Sequence, residues 1–312
     1  MVPVIPDSAP PEVLAFNAEV AAFMADLPPI REAGLQAARL AREEGRSVFG
    51  PLWESDLARP MSIEGPGGEL GLRVLAVDRP RGVFLHIHGG GWVLGRAHHH
   101  DRMLERLAIE THQTVVSVDY RLAPEHPYPA APDDCEAAAR WLVDHGPGVF
   151  GTDCFTIGGE SVGAHLAVVT LLRMRNARLA APFRAANLVY GIYDLRLTPG
   201  VRAYGGRPTI LDGPGMAWFV EQYAAADLED PDVSPIFADL GGMPPALFTV
   251  GDDDPLIDDS VFMAGRWRAA GIESRLDLWP GAVHAFDYFD TRYARDARAR
   301  MHAFLGGFLD AG

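Results

Sequence analysis

The chain has 312 residues, 48% of them hydrophobic, and a formal net charge of −15 at pH 7, so it holds the material for a full core, as one large domain or two smaller ones. Its 42 acidic residues outnumber the 27 Lys and Arg, and no basic block of five or six occurs, which excludes an electrostatic footprint for phosphate backbones and with it nucleic acid as a partner. The two cysteines, Cys135 and Cys154, lack metal-site spacing and are expected to be reduced and buried.

The N-terminal MVPVIPDSAPPEVLAF lacks the basic region and long apolar run of a signal peptide, and no stretch reads as ~18 apolar residues, so no membrane insertion and a cytoplasmic location are expected. The first fifty residues read as helical. Val13, Phe16, Val20, Phe23, Met24 and Leu27 share one face of a helix that Pro28 and Pro29 end, and a second helix over residues 35–44 stops at Gly45. That apolar stripe needs something to pack on.

From about Met61 onward the short apolar runs LGLRVLAV, VFLHIH, VVSVDY, CFTIGG, NLVYGIY and ALFTVGD, each bounded by turn residues, read as strands. Helical stretches separate most of them, at residues 102–111, 133–145, 163–176 and 260–270. Alternation of this kind predicts an α/β fold with a mainly parallel sheet flanked by helices. Residues 196–226 break the pattern: Gly200, Gly205, Gly206, Gly213 and Gly215 precede a short helical pattern of Met216, Phe219, Val220 and Tyr223. The stretch reads as an insertion above the strand ends, where α/β folds place ligands, and with the N-terminal helices it would form a lid.

Several segments carry chemistry. HGGGW (88–92) follows the strand VFLHI, and its three glycines expose backbone N–H groups suited to an oxygen that becomes negative during acyl transfer. The run His98, His99, His100 is expected to be a solvated loop and helix start. No carboxylate or cysteine at ligand spacing accompanies it, so no metal is assigned there. His86 reads as a core or sheet-face residue. GESVG (159–163) lies between a strand and a helical run, the context of a nucleophile elbow, with Ser161 the nucleophile and the Val162 N–H a further oxyanion donor. In this chain order the base must follow the elbow, which leaves His284 on the loop GAVHAF and His302 in a terminal amphipathic helix; His284, after the strand RLDLWPG, is the candidate. The acid comes from GDDDPLIDDS (251–260), thirty residues before His284. That spacing admits Asp252, Asp253 or Asp254; Pro255 restrains the residue before it and favours Asp254. Asp258 and Asp259 are expected to cap the next helix and to face its dipole.

HGGGWVLG, VDYRLAPEHPYPAAPDD, GESVG, SPIFADLGGMPPALFTVGDDDPLIDD and GAVHAF together resemble the hormone-sensitive-lipase family of α/β-hydrolases, in particular its microbial carboxylesterases. The resemblance implies an α/β-hydrolase fold with a helical cap: residues 1–50 as cap helices, 51–312 as the catalytic domain, and a cap insertion at about 196–226. It implies a serine hydrolase of short- to medium-chain acyl esters using Ser161, Asp254 and His284, without a cofactor. Its oxyanion donors fall on Gly90, Gly91 and Val162, with Gly89 the alternative to Gly91, and His88 shapes the loop. Homodimers are common in the family. Glu160 stands where the family most often has Asp, and is expected to face the helix dipole. Trp92, Tyr193, Phe219 and Tyr223 are expected to form an aromatic deck over the substrate. Two other readings keep the scaffold: an amidase or lactonase with the same triad, and a non-catalytic ligand-binding protein. Retention of serine, histidine and aspartate argues against the second.

Overall fold

The computed structural model describes residues 2–177, 182–205, 207–224 and 227–309. Gly206 and the last two positions of the expected insertion lie outside the described residues. Eight strands form one sheet in the order β1-β2-β4-β3-β5-β6-β7-β8: β1 (Ala58–Gly65), β2 (Gly68–Leu75), β3 (Gly82–Ile87), β4 (Gln113–Asp119), β5 (Phe155–Glu160), β6 (Phe183–Val189), β7 (Ala246–Asp253) and β8 (Ser274–Val283). β2 runs antiparallel to both of its neighbours, β1 and β4, and all other pairings are parallel.

The inner strands β3 to β7 are buried along almost their whole length because helices cover both faces. Adjacent residues point into opposite cores: Leu85, Val116 and Phe248 into one, Phe84, Val115 and Leu247 into the other. Helices α1 (Pro11–Ala25), α2 (Ile30–Ala33), α3 (Leu35–Glu43), α4 (Asp101–Thr111), α5 (Ala130–Phe150), α6 (Val162–Asn176), α7 (Pro199–Ala203), α8 (Gly213–Tyr223), α9 (Ile257–Ala269) and α10 (Arg292–Gly306) complete the elements used below. The first core takes α5, α6 and α9, and the second takes α4, α10 and one side of α1.

Three differences from the sequence reading have local causes. β1 was not foreseen as a strand, since Pro60 interrupts its pattern; a proline is tolerated there because β1 is an edge strand. β6 ends at Val189, short of the run NLVYGIY, because Tyr190 turns the chain with φ 35°. The third concerns α1: Val13 and Val20 are buried, while Phe23 and Leu27 on the same stripe stay exposed. Pro11–Ala33 is in fact long and apolar enough to cross a membrane by length and composition, although Pro28 and Pro29 divide it into α1 and α2.

The N-terminal helices are tied to the loops around the strand ends. Asn17 Nδ2 donates to the Gly281 carbonyl at 2.7 Å, and α2 packs on α8. From α3, Arg39 donates to the carbonyls of Val93 and Ala123 and to the Glu125 carboxylate.

α9 begins at Ile257, earlier than expected, and its N-cap residue is Leu256. Asp258 and Asp259 therefore sit in its first turn, and their carboxylates turn toward the insertion instead of capping the helix. Asp258 accepts from the Gly200 N–H at 2.7 Å. Asp259 accepts from the N–H groups of Tyr193 and Asp194 and from the Thr198 hydroxyl. Burial raises the Asp259 carboxyl to about 7, more than these donors can pull it back. An aspartate in the unfolded chain titrates near ~3.9, so between that pH and about 7 the folded state holds a proton that the unfolded state has released. The resulting stability is complete at low pH and is lost as pH rises through about 7. As pH rises from mildly acidic toward about 7, the calorimetric melting temperature of the wild type is therefore expected to drop relative to that of Asp259→Asn. Parallel slopes would show that Asp259 carries no such linkage.

Candidate active site

β5 leads into the tight turn that carries Ser161. Ser161 follows the strand directly with φ 57° and ψ −121°, a combination that side chains resist and that surrounding structure must impose. Glycine is required on both sides: a Cβ on Gly159 would lie 2.1 Å from the Ile87 carbonyl oxygen, and one on Gly163 would lie 2.0 Å from it. The turn is thus pressed against the end of β3, and Ser161 sits at the start of α6, where helix-end amides favour negative charge.

His284 follows β8, and its Nε2 stands 3.2 Å from Ser161 Oγ as acceptor for the hydroxyl proton. Its Nδ1 donates to Asp254 Oδ2 at 2.9 Å. The other Asp254 oxygen accepts from the Leu256 N–H at 2.8 Å. All three side chains are buried. The neighbouring aspartates are engaged elsewhere: Asp252 Oδ1 accepts from the Gly281 N–H at 2.6 Å, and Asp253 pairs with Arg207 and Tyr204. His302 is distant in role as well, bonded to Glu110 on α4.

The glycine loop after β3 lies beside the serine. Gly89 donates its N–H to Glu160 Oε1 at 2.8 Å, so that amide already has an acceptor. The amides of Gly90, Gly91 and Val162 have no acceptor among the described residues. His88 is fully buried, donates from Nδ1 to the Gly89 carbonyl at 2.8 Å and stacks on Tyr120. Burial holds its imidazole low, at about 4, so it stays neutral near pH 7.

A model of the α/β-hydrolase fold matches residues 84–288. The esterase LipI of Mycobacterium tuberculosis is 35% identical over 242 residues, covering 72% of this chain and 73% of its own. The chain belongs to the hormone-sensitive-lipase family of α/β-hydrolases. The ethyl acetate hydrolase of Pseudomonas putida, another relative, is 36% identical, and the match spans 65% of each chain. Among solved structures, a hyperthermophilic esterase from Pyrobaculum calidifontis superposes with a TM-score of 0.87 at 29% identity, covering 96% of this chain and 98% of that one.

Three features of this family member differ from the reading of its sequence. Glu160 is the last residue of β5, and the hydrogen-bond partners of its carboxylate come from β3 and the loop after it. The carboxylate is held by the Gly89 N–H and by His86 Nε2 at 3.0 Å, with His100 Nδ1 3.2 Å away. Burial pushes this carboxyl up, but the imidazoles and the Gly89 amide outweigh it and keep the group ionised, at about 2.

Second, only His98 of the histidine run is partly exposed. His99 and His100 are buried, and the Glu43 carboxylate of α3 reaches both His98 and His99. No spacing rule would find this carboxylate, because it comes from the N-terminal arm. The ligand atoms of Glu43, His98 and His99 lie within 4.8 Å of one another, as do those of His86, His100 and Glu160; hydrogen bonds join Glu43 to His98 and His99, and Glu160 to His86.

Third, the aromatic deck shrinks. Trp92, Tyr193 and Tyr223 are closed off from solvent; Trp92 stacks on Tyr223 of α8 at 4.3 Å and donates to His165, while Tyr193 packs edge-on to Phe248 of β7. Phe219 of α8 remains half-buried, directly over Gly91.

Proposed function

We propose that the protein is a serine carboxylesterase acting through Ser161, His284 and Asp254. The observation that carries the reading is the unbroken hydrogen-bond line from Asp254 through His284 to Ser161, beside three backbone amides without acceptors. Ser161 Oγ attacks the ester carbonyl while His284 Nε2 takes its proton; Asp254 holds the imidazole in the tautomer that leaves Nε2 free and stabilises the imidazolium. The tetrahedral oxyanion is received by the amides of Gly90, Gly91 and Val162. His284 then protonates the leaving alcohol, giving an acyl-enzyme, and a water activated by the same imidazole releases the acid.

Residues 1–50 and the segment at about 196–226 serve as the cap. Phe219, brought by that cap over Gly91, limits the depth of the site and supports short to medium acyl chains. The naming of a relative as an ethyl acetate hydrolase points the same way. A series of p-nitrophenyl acyl esters of increasing length, run beside Ser161→Ala, tests the reading: turnover is expected for the shorter chains and none above background for the variant. Equal turnover by Ser161→Ala would sink it.

A further inference from the structure

Glu160 places a buried carboxylate against the glycine loop, where it accepts from the Gly89 N–H, and the esterase mechanism above gives it no role. Its surroundings are built: the carboxylate is buried, as are His86 and His100 beside it, and His86 is itself fixed by Ser117 Oγ at 2.8 Å. The loop it touches has little stiffness of its own, with three successive glycines, two of them at positive φ (122° at Gly90 and 63° at Gly91).

The orientation of that loop comes from pins on successive peptide units. In a trans peptide the carbonyl and the following N–H point in opposite directions, so holding one end aims the other. The 90–91 unit is held by its Gly90 carbonyl, which accepts from the amides of Val93 and Leu94; the Gly91 N–H is thereby aimed away from them. The 89–90 unit is held by the His88 Nδ1 bond to the Gly89 carbonyl, which aims the Gly90 N–H. The 88–89 unit is held at both ends, by Tyr120 Oη on the His88 carbonyl at 2.9 Å and by Glu160 on the Gly89 N–H. Only this last pin ties the loop to the nucleophile strand, because Glu160 immediately precedes Ser161. A Cβ on Gly89 would lie 2.8 Å from the Glu160 carbonyl oxygen and 3.4 Å from Ser161 Cβ, so the two segments are in contact there.

Building on the esterase reading, we propose that Glu160 is a positioning residue that sets the distance between the oxyanion amides and Ser161 by holding the Gly89 N–H. It touches neither substrate nor reacting atoms and acts through the loop. A bond to a carboxylate is shorter and stronger than one between neutral groups, which suits a loop that must not drift as charge develops on the substrate oxygen.

The test compares Glu160→Met, which keeps the volume and removes the acceptor, with Glu160→Gln, which keeps an oxygen able to accept from Gly89. With p-nitrophenyl butyrate, Glu160→Met is expected to lower kcat by about 100-fold with KM little changed. The inhibition constant of a trifluoromethyl ketone that mimics the tetrahedral intermediate should rise by the factor that kcat/KM falls. Glu160→Gln should recover about tenfold or more of the loss. In glycine-selective ¹⁵N-labelled protein the Gly89 amide proton should lie far downfield and move upfield in Glu160→Gln. The proposal is overturned if Glu160→Met retains kcat within a few-fold, if KM and the ketone constant weaken together, or if Glu160→Gln is no better than Glu160→Met. Should Glu160→Met fail to fold, the Gly89 resonance decides, and an unmoved signal overturns the proposal. A wild type without ester turnover would defeat the esterase reading separately, leaving that resonance as the measure of the Glu160 bond.

Discussion

Asp254→Asn is expected to leave the protein folded and to lower kcat by about 10⁴-fold. The fold survives because the asparagine oxygen can keep the place of Oδ1, accepting from the Leu256 N–H as the aspartate does. That choice presents the side-chain NH₂ to His284 Nδ1, where the carboxylate now accepts at 2.9 Å. A donor there forces Nδ1 to be the unprotonated nitrogen and moves the proton to Nε2, the atom that must receive the Ser161 hydroxyl proton 3.2 Å away. The base is lost through its tautomer, and the imidazolium loses its counter-charge as well. Asp252→Asn and Asp253→Asn are the controls. Each partner of those residues, the Gly281 N–H for one and Arg207 with Tyr204 for the other, can still find an oxygen on asparagine. Turnover within a few-fold of wild type is expected for both, with unfolding curves recorded on all three variants. A collapse in Asp252→Asn or Asp253→Asn with Asp254→Asn near normal would place the acid one or two residues earlier.

The parts of this site that were legible in the sequence are those where chemistry constrains neighbours along the chain. GESVG must be glycine on both sides of the serine because the turn meets the Ile87 carbonyl, and such a requirement is written locally. The placement of His284 could be argued from chain order and the strand before it. What escaped was set by contacts across the sheet or from the cap. Among the three aspartates at 252, 253 and 254 the restraint of Pro255 singled out Asp254, but the separate partners at Gly281, Arg207 and His284 appear only once β7, β8 and the insertion are assembled. Asp258 and Asp259 looked like helix caps, since position relative to the helix was the only visible cue, yet the N–H groups they accept from belong to Tyr193, Asp194 and Gly200. Glu160 was read by its place before α6; β5 lies beside β3, with Gly158 opposite His86, and that neighbour strand rather than the helix determines where the carboxylate goes.

Gly91→Ala is expected to lower kcat/KM by about 100-fold, and adding Phe219→Ala is expected to restore a large part of that loss. The φ of 63° at Gly91 is tolerable for alanine at a cost of roughly 1–2 kcal/mol, so backbone strain alone does not account for so large an effect. The methyl group would lie 2.5 Å from Phe219 Cδ1, and two outcomes follow from that overlap. Either the ring moves, which displaces α8, or the glycine loop moves, which takes the Gly91 N–H out of line with the oxyanion. The loop is the softer element, with two other glycines beside Gly91, whereas α8 is anchored by Tyr223 stacked on Trp92 and by Asp212 capping its first turn through the Gly215 N–H. The loop is therefore the part that yields, and activity falls through the oxyanion amides. Removing the ring takes away the cause, leaving only the φ term. Steady-state kinetics on the two single variants and the double variant form a cycle, with a coupling of about 1.4 kcal/mol or more expected, equivalent to a tenfold recovery. Strict additivity would mean that Phe219 does not bear on Gly91 during turnover.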